Sequence, residues 1–324
     1  MTMSELAKLA NVSVSTVSKA FCGAKDINPE TKEKILNLAK EYGCYGKYFK
    51  GKYNKNVIAI ICPEIIGGYY GELVNILTAK IEKENGLVIV ANDSFDEKKQ
   101  AELIEYFCSY LKVDGIIITS LKCKLKKSYD TPIVVISNNS DNDVDSVNIV
   151  LDSAMEKAIK TLKKLGHNNI AFFGENLTLS KAEIFKKAAK NEFLNDNNIF
   201  TSNYRFHKAG EDCVEKMLSQ KSECTAAICA YDDIAYGAIK ALSKIGIKVP
   251  YDFSVIGFDN SKVTGYTETS LSSIDMNSEK VCEKTCETLI RKIKNRYYRN
   301  GGEIDIVGDL IIRESIAPNN HNKI

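Results

Sequence analysis

The sequence predicts a small all-α head at the N-terminus, followed by a larger α/β core with parallel sheets. Residues 1–43 hold apolar residues at helical spacing between short turn signals. From residue 57 onward, short apolar runs alternate with amphipathic stretches of helical length, which is typical of parallel sheets covered by helices. The chain of 324 residues is also long enough for two or three units of domain size.

The charge of the chain is distributed unevenly. The whole sequence has 44 basic and 42 acidic residues, but residues 1–56 alone carry a net charge of +5. The remaining residues therefore carry a net charge of −3. A basic head on a mildly acidic body predicts that only the head contacts a polyanion.

The ten cysteines do not indicate a secreted or metal-binding protein. The N-terminus has no signal-peptide pattern, and no apolar run reaches the roughly 18 residues of a membrane span. Neither Cys282 with Cys286 nor Cys224 with Cys229 has histidines nearby at zinc-ligand spacing. We therefore expect a soluble, cytoplasmic protein with reduced cysteines and without a metal or other cofactor.

The first two helices of the head are predicted to form a helix-turn-helix. Helix one begins near Ser4, a natural N-cap, and Asn11 ends it because asparagine tolerates left-handed backbone. Ser13 can cap helix two after a turn of about three residues. The residues predicted to face inward are Leu6, Ala7, Ala10, Val17, Ala20 and Phe21.

The outward face of the second helix carries short polar or cationic side chains at its N-terminal end, namely Val14, Ser15, Ser18 and Lys19. A recognition helix meets base edges with this end. Hydroxyl groups also suit phosphate oxygens, and a lysine suits guanine or phosphate. From the residues alone, a structural bundle with a solvated face explains the pattern about as well as a DNA-binding head does.

A third helix is predicted to begin at Asn28, with Pro29 in its first turn, and to end at Gly43. Its inward residues are expected to be Ile35, Leu38, Ala39 and Tyr42.

The segments "SELAKLANVSVSTVSKAFCG" and "INPETKEKILNLAKEYG" resemble the DNA-binding head of the lactose-repressor (LacI/GalR) family of bacterial transcription regulators. The resemblance implies that Val14, Ser15 and Lys19 read bases. It implies phosphate contacts for Ser13, Ser18, Asn28 and Thr31, and it places Thr16 in the same DNA-binding surface.

The linker over residues 44–56 is basic and aromatic, and it departs from the family pattern. It is about three residues shorter than the family's hinge, and it lacks the usual proline and the leucine that wedges into the minor groove. Tyr48 or Phe49 could serve as the wedge, since aromatic insertion also kinks DNA. A disordered tether that contacts only phosphates is an equal alternative.

The apolar runs of the body form two series, which predicts two similarly built lobes. Segments "VIAIIC" (57–62), "LVIVAN" (87–92), "GIIIT" (115–119) and "PIVVIS" (132–137) form the first series; "NIAFFG" (169–174), "AAICAY" (226–231) and "FSVIGF" (253–258) form the second. Ligands of such sheets bind beyond the carboxyl ends of the strands. The residues after these strands are therefore the candidates for a binding cleft.

The family resemblance extends through the body, most specifically in "LKKLGHNNIAFFG", "ALSKIGIKVPYDFSVIGFDN" and "DLIIRESIAP". It implies a periplasmic-binding-protein-like core (57–324) of two Rossmann-like subdomains that dimerises and binds a small effector in its cleft. The implied N-subdomain comprises about 57–150 and 277–306, and the C-subdomain about 151–275 and 310–324. Three strands or crossovers would join them, near 149–153, 274–277 and 306–311.

The candidate effector-binding residues are Tyr69, Tyr70, Asn92, Asp152, Lys181, Tyr231 and Asp259. Tyr69 and Tyr70 could stack on a flat ligand face or pack at the start of a helix. Asp152 and Asp259 match acidic residues with which the family accepts hydrogen bonds from ligand hydroxyls, although a glycosidase pair or helix caps would also fit. Lys181 stands where the family often has an arginine, and Tyr231 where it has an asparagine.

These features predict a homodimeric, sequence-specific DNA-binding regulator, a repressor, that responds to a sugar or sugar derivative and recognises a pseudo-palindromic operator. The alternative is a sugar-binding receptor without regulatory DNA binding. Catalysis is not expected, because the strand ends supply no nucleophile with a neighbouring base.

Overall fold

The structure is a computed structural model that describes residues 1–48, 55–125, 129–137, 144–262, 269–295 and 301–319. The chain divides into two compact units, the head (Met1–Asn56) and the core (Val57–Ile324). Phe49 lies outside the described residues, so the structure does not bear on its predicted role as a wedge.

The head contains four described helices, α1 (Met3–Ala10), α2 (Val14–Cys22), α3 (Pro29–Glu41) and the short α4 (Tyr45–Tyr48). Apolar residues of the first three helices meet in one small core that includes Leu6, Val17, Phe21 and Ile35. Asn11 has the left-handed backbone predicted for it, with φ 56°, and Ser13 caps α2 as predicted.

The first helix begins two residues earlier than predicted. Thr2, rather than Ser4, is its N-cap: the Thr2 hydroxyl accepts from the Glu5 N–H at 3.2 Å, and the Glu5 carboxylate accepts from the Thr2 N–H at 2.7 Å. This reciprocal capping box satisfies two backbone donors, so it favours Thr2 over a serine without such a partner.

The third helix also ends earlier than predicted, at Glu41. Tyr42 follows it as the C-cap and is 50% exposed, so the prediction that Tyr42 faces inward is wrong. The apolar position is filled instead by Cys44, which is buried in the head core. Tyr45 and Tyr48 pack against the same core, although we expected them in the linker.

The core contains two six-stranded sheets. The first sheet has the order β11-β5-β4-β3-β1-β2, and the second β12-β10-β9-β8-β6-β7. The described strands are β1 (Asn56–Cys62), β2 (Gly86–Asn92), β3 (Gly115–Ile118), β4 (Ile133–Ser137), β5 (Asp145–Val150), β6 (Ile170–Glu175), β7 (Ile199–Ser202), β8 (Ala226–Cys229), β9 (Ser254–Phe258), β10 (Ser272–Asp275), β11 (Glu303–Val307) and β12 (Asp309–Ile311).

Helices cover these sheets. They are α5 (Gly68–Lys83), α6 (Glu97–Glu105), α7 (Asp152–Lys164), α8 (Leu179–Asn191), α9 (Phe206–Ser219), α10 (Asp232–Lys244) and α11 (Ser278–Lys294). A π-helical turn (Tyr106–Leu111) extends α6, and a 3-10 turn (Asn176–Thr178) precedes α8. We call the first sheet with α5, α6 and α11 the N-lobe, and the second sheet with α7 to α10 the C-lobe.

Parallel pairing dominates both lobes, which confirms the predicted fold class. Strands β1, β3, β4, β5 and β11 pair in parallel, as do β7, β6, β8, β9 and β10. Only the β10–β12 pair is antiparallel among the pairings whose register the described residues define. The buried isoleucine and valine runs of these strands reflect sheets that helices cover on both faces.

The chain passes between the lobes three times. Strand β5 of the N-lobe leads into α7 of the C-lobe, and β10 of the C-lobe leads into α11 of the N-lobe. Strand β11 of the N-lobe is separated by Gly308 alone from β12 of the C-lobe. Because the three crossings connect the same two bodies, they define the hinge on one side of a cleft.

Candidate functional site

In the head, the first turn of α2 presents a hydroxyl cluster. The Ser13 hydroxyl accepts from the Thr16 N–H at 3.1 Å and lies 2.8 Å from the Ser15 and Thr16 hydroxyls. Val14 is 45% exposed although it is apolar, and Ser15 is exposed beside it. The turn therefore offers one apolar and several hydroxyl groups outward, as the sequence predicted.

Lys19, one turn further along α2, is exposed and forms an ion pair with Asp26. The hydrogen bond from the Lys19 ammonium holds the pKa of Asp26 below its usual value. A phosphate or guanine that reaches Lys19 must therefore compete with the Asp26 carboxylate. This competing carboxylate was not predicted from the sequence.

The start of α3 forms the other part of the predicted phosphate surface. The Asn28 side-chain oxygen accepts from the N–H groups of Glu30 at 2.8 Å and Thr31 at 3.3 Å. Capping uses only this oxygen, so the amide N–H donors of Asn28 remain available for a phosphate. Ser18 and Thr31 are both partly exposed.

Tyr48 packs on the head in this structure. Its ring centroid lies 5.7 Å from that of Phe21, and its hydroxyl donates to the Met1 carbonyl at 2.9 Å. Insertion of Tyr48 between base pairs would require both contacts to break. The structure thus gives Tyr48 a packing role, which the linker composition did not suggest.

In the core, a cavity of about 520 Å³ lies between the two lobes. The N-lobe lines it with segments that follow β1, β2 and β3, and the C-lobe with segments that follow β6, β7, β8 and β9. This is the strand-end position at which open α/β sheets bind ligands. Five of the seven predicted effector residues line it: Tyr69, Tyr70, Lys181, Tyr231 and Asp259.

Asp152 and Asn92 are not brought into the cavity. Asp152 is the first residue of α7, and its carboxylate forms an ion pair with Lys187 at 2.7 Å on the C-lobe surface. Asn92 ends the edge strand β2, where its side-chain oxygen accepts from the Ser94 N–H at 2.7 Å. Both side chains are therefore used in local structure, away from the cavity.

Aromatic rings form much of the cavity wall. The rings of Tyr69 and Tyr70 pack edge to face with centroids 5.1 Å apart, and the ring centroids of Tyr70 and Phe95 are 6.1 Å apart. Burial raises the pKa of Tyr70 to about 12, so its phenol is a neutral hydrogen-bond group at physiological pH. Tyr231 uses its hydroxyl to accept from the Phe206 N–H at 2.9 Å.

Lys181 and Asp259 form a polar pair at the C-lobe side of the cavity. The Lys181 ammonium donates to the Ala230 carbonyl at 2.7 Å, lies 3.4 Å from the Asp259 carboxylate and sits 4.2 Å from the centroid of the Phe258 ring. Burial raises the pKa of Asp259, and the Lys181 charge opposes that rise. The pair offers a carboxylate acceptor and an ammonium donor to one ligand.

Behind this pair, Asp232 supports the cavity without lining it. Its carboxylate accepts from the Ser261 N–H and from the Ser273 hydroxyl, both at 2.7 Å. Burial, and next the charge of Asp259, raise the pKa of Asp232. Asp232 therefore fixes the backbone after β9, as a structural side chain.

A cluster of three charges joins the lobes at the cavity. Arg205 of the C-lobe forms two hydrogen bonds with Glu64 of the N-lobe, at 2.6 and 2.9 Å, and its Nε lies 3.2 Å from Glu175. The hydrogen bonds to Glu64 raise the pKa of Arg205 above its already high value. None of these three residues was predicted from the sequence to line the site.

Lys122 and Lys124 also line the cavity without having been predicted from the sequence, and the buried side chain of Gln100 holds their loop in place. The Gln100 amide oxygen accepts from the Lys122 and Cys123 N–H groups at 2.7 and 3.1 Å, and its nitrogen donates to the Ser120 carbonyl at 2.9 Å. Gln100 thereby holds the loop that brings Lys122 and Lys124 to the cavity. A glutamine on a helix carries no sequence signal for this role. Arg205 did carry a sequence signal, because the chain has only five arginines and one of them follows a strand of the C-lobe.

No group of three or more His, Cys, Asp or Glu side chains suited to a metal occurs among the residues that the structure describes. In the same residues, no helix is long and apolar enough to cross a membrane.

A helix-turn-helix head joined to a two-lobed core with an interlobe cavity is the architecture of a DNA-binding transcription regulator. Residues 2–45 match the model of bacterial regulatory proteins of the lacI family, and residues 159–316 match a periplasmic binding protein-like domain. The head therefore contains a DNA-binding domain of the lacI family, and the chain is a DNA-binding transcription regulator.

Relatives of similar length support this assignment. The chain is 29% identical to catabolite control protein A of Priestia megaterium, over 85% of this chain and 87% of that protein. It is 26% identical to the ribose operon repressor of Haemophilus influenzae, over 97% and 98%. The lac repressor dimer bound to operator and an anti-inducer has the same fold, with a TM-score of 0.73 at 17% identity over 98% of this chain and 99% of that chain.

Proposed function

We propose that this regulator is a homodimeric repressor that places α2 in the major groove of a pseudo-palindromic operator. A small effector in the interlobe cavity would lower or raise the affinity for this operator. The observation that carries this proposal is the outward face of α2, which exposes Val14 and Ser15 in its first turn and Lys19 one turn further along. An exposed apolar side chain beside hydroxyl and ammonium donors suits thymine methyl groups, phosphates and guanine.

The contacts divide into two classes. Val14, Ser15 and Lys19 would meet base edges, because they project from the end of α2 that enters the groove. Ser13, Thr16, Ser18, Asn28 and Thr31 would contact phosphates and fix the register of the head.

The proposed effector is a polyhydroxylated molecule, a sugar or sugar derivative. Apolar sugar faces stack on aromatic rings, and the cavity presents Tyr69, Tyr70 and Tyr231 for this. The Asp259 carboxylate and the Lys181 ammonium are an acceptor and a donor for hydroxyl groups. The name of the Haemophilus influenzae relative, a ribose operon repressor, agrees with this ligand class.

A second copy of the chain would cover the edge of the N-lobe sheet. Strand β2 lies at that edge and exposes Leu87, Ile89 and Val90. An apolar edge strand left in solvent favours association. Replacing Leu87 with Asp should lower the sedimentation coefficient to that of a monomer, while Leu218→Asp, an exposed C-lobe leucine, should not. A Leu87→Asp protein that stays dimeric would contradict this interface.

The regulator would act in the cytoplasm, where its operator lies, and its proposed function requires no catalytic step. The relatives named above are regulators and repressors.

The DNA-binding part is tested with the full-length chain and a duplex that it selects from a random pool. Ser15→Ala and Lys19→Ala should each weaken binding to that duplex about tenfold or more, as for loss of one good base contact. Lys186→Ala is the matched control, because Lys186 is also a half-exposed lysine paired with one carboxylate, but on the C-lobe. Parent-like binding by both head variants would refute the contact assignment.

The effector part is tested by a thermal-shift screen of sugars and sugar derivatives against the full-length protein. A ligand present at 100 times its Kd should stabilise the core by about 2.7 kcal/mol. Any compound that shifts the melting temperature should also change duplex affinity, because a ligand acts only through its preference for one state. A ligand that stabilises without changing duplex affinity would contradict the regulatory role.

A further inference from the structure

The charge cluster of Arg205 connects parts of the core that the three chain crossings do not connect. Glu64 lies in the N-lobe segment between β1 and α5, and Arg205 lies in the C-lobe segment between β7 and α9. Glu175, the last residue of β6, lies on the C-lobe side of the cluster. A contact between Glu64 and Arg205 can therefore exist only while the lobes are close together.

The geometry of this contact is that of a strong ion pair. Both terminal nitrogens of Arg205 donate to the two oxygens of Glu64, and Nε contacts both oxygens of Glu175, at 3.2 and 3.3 Å. Bidentate charge-assisted pairs are stronger and more directional than single contacts. The two carboxylates are largely shielded from water, since the side chains of Glu64 and Glu175 are only 13% and 3% exposed, whereas that of Arg205 is 35% exposed.

Aromatic rings from both lobes enclose the guanidinium. Its central carbon lies 5.6 Å from the ring centroid of Phe95, in the N-lobe, and 4.7 Å from that of Phe206, in the C-lobe. These distances lie within the range of cation–π attraction. Opening the cleft would separate the guanidinium from Phe95 as well as from Glu64.

Phe206, next to Arg205 in the chain, makes a second contact across the cleft, with Gly67 of the N-lobe. The Phe206 ring packs on Gly67 of the N-lobe so closely that a Cβ at Gly67 would lie 2.7 Å from a ring carbon. Gly67 also has φ +90°, a backbone conformation that favours glycine. The N-lobe backbone is thus shaped to accept the residue that follows Arg205.

We propose that Arg205, Glu64 and Glu175 form an internal latch that holds the two lobes closed before any effector binds. The latch acts on the opening and closing of the cavity, and its consequence for DNA rests on the proposed function. An effector would then bind a core already biased towards closure. The stronger the latch, the less an effector could still increase the closed fraction of the protein.

The chain offers a direct reporter of closure. A Cβ at Gly68, in the N-lobe, would lie 3.5 Å from the Cβ of Ser261, in the C-lobe. That spacing suits a disulfide. In the full-length Gly68→Cys/Ser261→Cys protein, the rate of disulfide formation between positions 68 and 261, followed by mass spectrometry without effector, reports the closed population.

The latch predicts that Arg205→Gln and Glu64→Gln each slow this rate by about tenfold, as expected for loss of one partner of a half-buried charge pair. The double variant should be no slower than Arg205→Gln alone, because the two residues act through one contact. Asp212→Asn is the matched control: Asp212 pairs with Lys216 at 2.7 Å within the C-lobe and is similarly buried. Parent-like rates in both single variants, or additive slowing in the double variant, would overturn the latch.

A second measurement avoids the introduced cysteines. The Phe206 N–H donates to the Tyr231 hydroxyl beside the latch. Hydrogen exchange in the peptide that contains Phe206 should be faster in Glu64→Gln than in the parent and unchanged in Asp212→Asn. Unchanged exchange in Glu64→Gln would also overturn the latch.

The regulatory consequence is tested separately, with the duplex selected by the full-length protein. The oxidised, locked protein and its reduced form should differ in duplex affinity by about tenfold, within the usual range of allosteric coupling. Equal affinities would refute the regulatory consequence. Absence of duplex preference in both forms would refute the proposed function instead, and the disulfide rates would still decide on the latch.

Discussion

Helices α9 and α10 cross with their backbones in direct contact, and this crossing offers a sharp test of how the C-lobe is built. A Cβ at Gly237 of α10 would overlap the carbonyl oxygen of His207 in α9 and would lie 2.6 and 2.8 Å from two further His207 backbone atoms. Gly210 faces the Ile234 carbonyl in the same way from the other helix. Only glycine allows this approach, and the approach sets where the first turns of both helices stand at the cavity.

Replacing Gly237 with Ala should therefore destabilise the core strongly. Heavy atoms normally pack at about 3.5–4.0 Å and the His207 carbonyl oxygen would lie closest to the new Cβ, so the helices must move apart by more than about 1 Å. Backbone atoms cannot give way as the end of a side chain can, and overpacking of this kind costs about 3 kcal/mol. The separation should also displace Phe206 and Asp232 and weaken any ligand of the cavity.

The measurement is urea unfolding of the full-length protein, followed by circular dichroism through the transition of the core. Gly71→Ala is the matched control, because Gly71 also lies in a helix of the core but its added Cβ would meet the nearest atom at 3.4 Å. That variant should be more stable than the parent by about 0.5–1 kcal/mol, since alanine favours a helix over glycine. A Gly237→Ala protein as stable as its parent would refute this account of the crossing.

Three further predictions concern charge and pH. Asp26→Asn should raise duplex affinity and steepen the fall of log K with log salt by about 0.9, because Lys19 no longer has a competing carboxylate; an unchanged salt slope would contradict this. Burial lowers the pKa of His167, so the unfolded chain binds the proton more readily, and the stability that neutral His167 provides should be lost as pH falls below about 6.5. Thermal unfolding from pH 7.5 to 5 checks this, and a His167→Gln protein with the same pH dependence would contradict it. Lys181→Met should weaken a screened ligand at least tenfold but leave duplex affinity unchanged, since Lys181 and Asp259 lie in the core alone; parent-like ligand affinity in calorimetry would contradict it.

The sequence predicted the elements whose pattern is apolar. The runs around β1, β3 and β9 form buried strands, as expected, because burial removes the apolar side chains of their valines and isoleucines from water. It did not reveal β5 or β10, whose sequences are rich in polar residues. Some of those side chains bond to specific partners: the Ser273 hydroxyl donates to Asp232, and the Asn148 amide donates to Asp305. Such partners are distant in the chain, so local pattern cannot show them.

The candidate site shows the same division. Tyr69, Tyr231 and Asp259 follow apolar strands, so the strand-end rule found them. The family resemblance also selected Asp152, which starts a helix on the outer surface and pairs with Lys187 there. Arg205 follows β7, a short strand of mixed pattern, and its partner Glu64 is 141 residues away in sequence. Only the closed arrangement of the two lobes reveals that pair.

One competition experiment tests whether α2 recognises a DNA sequence in a protein whose core binds a metabolite. Full-length protein is titrated at physiological salt with the duplex it selects, in the presence of excess random-sequence duplex. We expect the selected duplex to be bound at least about a thousandfold more tightly than the random-sequence duplex, and Ser15→Ala to reduce this ratio. Equal affinity for both duplexes would contradict the account.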